Sequence, residues 1–144
     1  PDTGEAVTID IGDPRNLHPR NKQDVGRRLA LLALARTYHQ DVACDGPRLA
    51  TATPEGSSIR ITLDHAEGLA TRDGTAPLGF EIAGADRRFV PARANLAGDT
   101  VTVSSPDVPA PVAVRYAWCN APDTNLYNAA GLPLAPFRTD DWPQ

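Results

Sequence analysis

The 144-residue chain is short of several things at once: it has no methionine, two cysteines, three histidines and only 6% aromatic residues. A chain that starts at Pro1 and contains no methionine reads as a piece of a longer translation product, so the lack of a visible leader says nothing of its destination. Two cysteines, Cys44 and Cys119, build no disulfide framework, and their spacing fits no metal motif. Their plain reading is two small buried apolar side chains. Fourteen basic residues face eighteen acidic ones, for a net charge of -4, which argues against nucleic acid as a partner because phosphates select basic surfaces. No apolar run is long enough to span a bilayer, so no membrane partner is expected. No cofactor and no metal are expected either.

What is present is ordinary globular material, 41% hydrophobic and 22% charged. Residues 6–11, "AVTIDI", alternate with Val7, Ile9 and Ile11 on one face and predict a strand. Residues 21–39 predict the one convincing helix. Asn21 can cap its first turn, and Asp24 three positions on resembles a capping box. Leu29, Leu32, Ala33 and Arg36 lie on neighbouring turns. Leu31, Leu34 and Ala35 widen the apolar face, which suggests burial against a sheet. A strand, a loop and a helix are half of a βαβ unit, and no second βα pair occurs in the sequence. Residues 1–45 therefore read as the last strand and helix of an α/β domain whose bulk lies elsewhere.

After "CDGP", Cys44 to Pro47, the pattern changes. "SIRITL" carries Ile59, Ile61 and Leu63, and "LGFEIAG" carries Leu78, Phe80 and Ile82. "RRFVPA" and "TVTVSS" follow, and "PVAVRYAW" sets Val112, Val114, Tyr116 and Trp118 on one face. The turns "PEGS", "RDGT", "AGAD" and "AGDT" separate them. Residues 46–144 thus predict an antiparallel β-sandwich. The final stretch holds Tyr127, Phe137 and Trp142 in irregular sequence. Such aromatics either dock the tail onto the rest of the chain or form a sugar-stacking edge, and docking is the expected role.

His18 stands on the stiff polar loop between the predicted strand and helix, flanked by Pro14 and Pro19. Ligands of open α/β sheets bind outside the carboxyl ends of the strands, and this loop is at such an end. Two readings follow: an exposed loop histidine with no role, or the general base of a Ser-His-Asp system with Asp10 or Asp13 orienting the ring. His39 falls near the helix C-terminus, where a cation suits the helix dipole. His65 has no Cys or His cluster around it. The serines Ser57, Ser58, Ser104 and Ser105 sit at strand ends and turns, and none lies in a nucleophile elbow. A hydrolase using His18 would take its nucleophile from outside this chain.

The block "DIGDPRNLHPRNKQDVGRRLA" resembles the histidine block of the sialate O-acetylesterase family, within the SGNH (GDSL-like) hydrolases. "GFEIAGADRRFVPA", "VTVSSPDVPAPVAVRYAW" and "NLYNAAGLPLAPFRTDDW" resemble the β-rich C-terminal part of the same proteins. The resemblance implies a carbohydrate esterase that removes O-acetyl groups by a serine mechanism. It also implies a flavodoxin-like SGNH core followed by β-rich domains, with an acetylated sugar or polysaccharide as substrate and a periplasmic or secreted location. His18 matches the family's catalytic histidine, and Asp13 matches the Asp of "GDP". Where many relatives carry Asp two residues before the histidine, this chain has Asn16. The SGNH serine, glycine and asparagine blocks would lie in an upstream segment or a second chain, so this chain alone should be inactive. The contrasting expectation is a non-catalytic carbohydrate-binding or structural β-module.

Overall fold

The computed structural model describes residues 3–143. Alternating apolar residues build the larger part of it. Strands β1 (Arg48–Glu55), β2 (Ser58–Asp64), β6 (Arg93–Ala97) and β7 (Thr100–Ser104) form one antiparallel sheet in the order β1-β2-β7-β6. A second sheet has the order β10-β8-β4-β5, from β4 (Phe80–Ala83), β5 (Val90–Pro91), β8 (Ala113–Tyr116) and β10 (Phe137–Arg138). A two-stranded ribbon joins β3 (Ala70–Thr71) to β9 (Leu126–Tyr127). In the first sheet Ile59 pairs with Val103 and Ile61 with Val101, so one register puts all four in the same buried layer. They share a single apolar cluster with Phe80, Ile82, Val114, Tyr116 and Phe137 of the second sheet. The Phe80 ring lies 4.7 Å from Tyr116, and Phe137 stacks on Tyr116 at 5.7 Å. Two antiparallel sheets sharing one core have the form of the expected sandwich.

Three residues depart from the alternation expected of "LGFEIAG" and "PVAVRYAW". Leu78 and Trp118 are 44% and 40% exposed, and Val112 is 50% exposed. The cause lies at the paired strand ends. Gly79 and Ala117 both have positive φ, 86° and 51°, and the Ala117 N–H donates to the Gly79 carbonyl at 2.8 Å. The left-handed residues rotate Leu78 and Trp118 out of the inward row. Val112 precedes the first residue of β8 and so escapes its alternation.

The N-terminal part departs further from expectation. Residues 6–11 are not a strand: residues 3–8 belong to no ladder, and a turn follows at Ile9–Asp10, with the Ile11 N–H on the Thr8 carbonyl at 3.3 Å. No strand pairs with this segment among the described residues, so its backbone groups find other partners. Helix α1 (Lys22–Arg36) supplies them. Arg28 Nη1 donates to the Val7 carbonyl at 2.6 Å and Arg36 Nη1 to the Thr3 carbonyl at 2.8 Å. A Cβ on Gly4 would stand 3.2 Å from Leu32 Cδ1, so the close approach of segment to helix uses that glycine.

Helix α1 begins as its sequence dictates. Asn21 Oδ1 accepts the Asp24 N–H at 3.1 Å while Asn21 Nδ2 donates to Asp24 Oδ2 at 2.8 Å, a reciprocal cap. It ends earlier than expected, at Arg36, and His39 takes φ 54° just beyond. Its broad apolar face is not laid on a sheet. Only Arg28 and Leu32 are buried, and Leu29 is half exposed, because the two large sheets already cover each other. The C-terminal stretch docks, as expected, through Tyr127, Leu134 and Phe137, all buried. No helix among the described residues is long and apolar enough to cross a membrane.

Candidate active site

Residues 11–20 form the loop that carries His18, and its shape is set by two successive side-chain turns. Asp13 Oδ1 accepts the Arg15 N–H at 2.9 Å, and Asn16 Oδ1 accepts the His18 N–H at 2.9 Å. Between them the Asn16 N–H donates to the Asp13 carbonyl at 3.0 Å. Short polar side chains that bond the backbone two residues on favour such turns. The result is an exposed His18 beside a 90% exposed Leu17. Among the described residues no hydrogen bond joins the His18 ring to a carboxylate. Asp13 is in the same loop with Oδ2 free, and Asp10 is engaged elsewhere.

Asp10 is the hub of the N-terminal part. Its side chain is 1% exposed and meets the 3% exposed Arg28 through two hydrogen bonds, Nη1–Oδ1 at 2.6 Å and Nη2–Oδ2 at 2.7 Å. The Tyr127 hydroxyl donates to the same Oδ2 at 3.0 Å. Arg72 stacks its guanidinium 3.7 Å from the Tyr127 ring centroid. Burial alone would raise the Asp10 pKa, but the bonds and charge of Arg28 outweigh it and hold the carboxyl below its ordinary value. Burial, followed by the Asp10 charge, pushes Tyr127 up to about 12. One carboxylate thereby ties the stem of the His18 loop to helix α1 and to β9. Of the two acidic partners expected from the sequence, the structure commits Asp10 to this buried pair and leaves Asp13 on the loop.

Arg28, Tyr127 and Arg72 join this cluster without having been expected there, and for Arg28 the sequence does carry a signal. Arg28 lies one helical turn before Leu32, on the buried stripe, and a cation there requires a buried anion. The two asparagines of "NLYN" also shape this region. Asn125 Nδ2 donates to Asp73 Oδ1 and the Ala76 carbonyl, both at 3.0 Å, and its Oδ1 accepts the Leu78 N–H. Asn128 Nδ2 donates to the Asp45 and His65 carbonyls, each at 3.1 Å. They pin the loops around β9, and so hold Tyr127 where Asp10 meets it.

Below the His18 loop lies a pocket of about 500 Å³ whose lining includes Asp10, Asp13, Asn16, Leu17, Asn120 and Asp123. His18 itself does not line it. Cys119 is exposed and Cys44 partly buried, both as free thiols, so the expectation of two buried cysteines fails at Cys119, which lies past the end of β8. Among the described residues no group of three or more His, Cys, Asp or Glu side chains is placed to hold a metal ion.

No protein-family model matches the chain, and no curated protein matches it. Among solved structures, a carbohydrate acetylesterase from Xanthomonas citri is 49% identical over 99% of this chain, with a TM-score of 0.94. The chain spans 33% of that protein's length.

Proposed function

We propose that the complete protein is a carbohydrate O-acetylesterase of the SGNH serine type, and that this chain supplies its general base, His18. The observation that carries the reading is the likeness, 49% identical over 99% of the chain, to a carbohydrate acetylesterase. In this reading residues 1–45 close the SGNH hydrolase domain and residues 46–144 are a β-sandwich attached to it. The serine and the oxyanion hole belong to the upstream portion or a second chain. Among SGNH enzymes, the sialate O-acetylesterases are the family whose motifs the sequence resembles. An acetylated glycan as substrate fits a periplasmic or secreted location.

The chemistry asks one thing of this chain. His18 accepts the proton of the serine hydroxyl as its oxygen bonds to the acetyl carbon. When the tetrahedral adduct collapses, the bond from acetyl carbon to sugar oxygen breaks, and His18 returns the proton to that oxygen. A water molecule then repeats the sequence on the acetyl-serine, releasing acetate and restoring the serine. Asp13 is the residue assigned to orient the ring. Its Oδ1 holds the loop turn, which leaves Oδ2 as the oxygen that would accept from the imidazole. Asp10 acts one step back, as the anchor of the loop.

The test is His18→Ala in the complete protein, assayed with 4-nitrophenyl acetate and acetylated xylo-oligosaccharides. Loss of a triad base costs on the order of 10³-fold or more in kcat, and an exposed residue should leave the melting temperature unchanged. Hydrolysis near the wild-type rate would overturn the assignment and favour the non-catalytic β-module.

A further inference from the structure

We propose that the cleft between the second sheet and the C-terminal tail is a saccharide-binding subsite. It takes the neutral chain of an acetylated oligo- or polysaccharide and leads it to the pocket below the His18 loop. The substrate named here rests on the esterase reading; the binding site itself stands on the geometry of the cleft.

The cleft has a volume of about 880 Å³ and shares Ile9, Cys119 and Asn120 with the adjoining pocket of about 500 Å³. Cavities of about 300–1,000 Å³ hold ligands of drug size, more than one sugar ring fills. Phe89, Trp142 and Trp118 line it. Phe89 and Trp142 lie 5.7 Å apart, with Arg115 3.9 Å from the Phe89 centroid and Arg87 5.5 Å from that of Trp142. This makes a ladder of cation, ring, ring, cation.

A pyranose has an apolar C–H face and a rim of hydroxyls. Aromatic faces interleaved with N–H donors match both. The charge of Arg115 is met by Asp140, Nε–Oδ2 at 2.8 Å and Nη2–Oδ1 at 2.7 Å. The lining is therefore donor-rich without being strongly basic, which suits a neutral glycan over an acidic one.

Trp118 is the feature that most needs an occupant. Alternation along β8 would bury it beside Tyr116. The left-handed backbone of Ala117, an uncommon state for a residue with a Cβ, turns it outward instead, to 40% exposure. A large aromatic side chain displayed at the cost of backbone strain, lining one cleft with two other rings, with Arg138 5.5 Å from its centroid and continuous with the pocket below the His18 loop, is a stacking platform.

The experiment uses the complete protein and Trp118→Ala, Trp118→Phe and Arg87→Ala. Acetylated xylan and glucomannan oligosaccharides are the polymeric probes, and 4-nitrophenyl acetate is the small one. Trp118→Ala should raise KM about tenfold for at least one oligosaccharide and leave kcat/KM for 4-nitrophenyl acetate unchanged. Trp118→Phe should recover most of the loss, and Arg87→Ala should show a smaller rise in KM. In a His18→Ala background, the corresponding deacetylated oligosaccharide should shift tryptophan emission, and the shift should vanish with Trp118→Ala. An unchanged KM across the whole panel, or emission from Trp118 already shielded from acrylamide in the free protein, would overturn the proposal. The second result would mean that another part of the protein covers the cleft. An active His18→Ala enzyme with a raised KM in Trp118→Ala would remove the catalytic assignment and leave the subsite standing. An inactive His18→Ala with a silent Trp118→Ala would do the reverse.

Discussion

The sandwich and the N-terminal part are held by different forces. In the sandwich, Ile59, Ile61, Ile82, Val101, Val103, Val114 and Tyr116 are at most 1% exposed, and each fully buried aliphatic side chain contributes roughly 1.5–3 kcal/mol. Within helix α1, among the described residues, the only buried apolar side chain is Leu32, and the buried partner beside it is a cation. Attachment there depends on directional bonds: Asp10 with Arg28, Tyr127 with Asp10, Arg36 with Asp45, and Arg27 with the Ala130 carbonyl. Apolar contacts are many and individually replaceable. A buried ion pair is neither, since removing one member leaves the other charged and dry. The region proposed to carry the catalytic base is thus the one most open to a single substitution.

Breaking the hub should give the largest effect. Asp10→Asn leaves Arg28 buried without its countercharge, at a cost of about 3–5 kcal/mol. Native-state hydrogen exchange should show α1 amides opening by that amount, while Ile59 to Leu63 and Val101 to Val103 keep wild-type protection. Equal loss in both regions would show that they unfold as one unit.

Acid should do the same reversibly. The Asp10 carboxyl has a lowered pKa in the folded chain, so its stabilising effect is complete above the ordinary carboxylate value, about 3.9. It is lost as pH falls through the folded value. Protection of α1 should therefore decline below about pH 4. Asp140, lowered by its bonds to Arg115, responds in the same range. Following Arg115 and Trp142 resonances separately would distinguish the two events.

A smaller effect is expected from Tyr127→Phe, which removes one hydrogen bond to a charged acceptor, worth about 1.5–3 kcal/mol. Because Tyr127 gives β9 its hydrogen bond to Asp10, beside an Arg72 contact at 4.0 Å, this change should loosen the tie between the regions while leaving each intact. Unequal shifts in α1 and β9 protection would verify it. Smallest of all, Leu29→Gln on the exposed side of α1 should change the stability of this chain by less than about 0.5 kcal/mol. A larger loss in the complete protein than in this chain would show that the rest of the protein covers that side.

The same contrast explains what could be read from the sequence. Strands β2, β4, β7 and β8 announce themselves because one face is apolar and the other is not, and the Asn21–Asp24 cap is local. Strand β1, "RLATATPE", is not legible because it is an edge with most residues exposed and no apolar alternation. Strand β6, "RANLA", is the opposite edge and equally silent. Residues 6–11 mimic a strand because Val7, Ile9 and Ile11 alternate, yet a ladder needs a neighbour, and periodicity does not report one. The loop position of His18 and its flanking turn residues were legible. The commitment of Asp10 to Arg28 was not, because it joins positions 18 apart through a three-dimensional meeting that no local pattern encodes.

That separation of 18 positions also bears on which changes the loop tolerates. Asp10 and Arg28 close the His18 loop at its base much as a covalent crosslink would, so its ends stay fixed. Lengthening a closed loop is cheap, about 0.6 kcal/mol for each doubling, far less than the loss of one member of the pair that closes it. Insertions placed away from Asp13, Asn16 and His18 are therefore tolerated without unseating either region, and substitution at either closing residue is not.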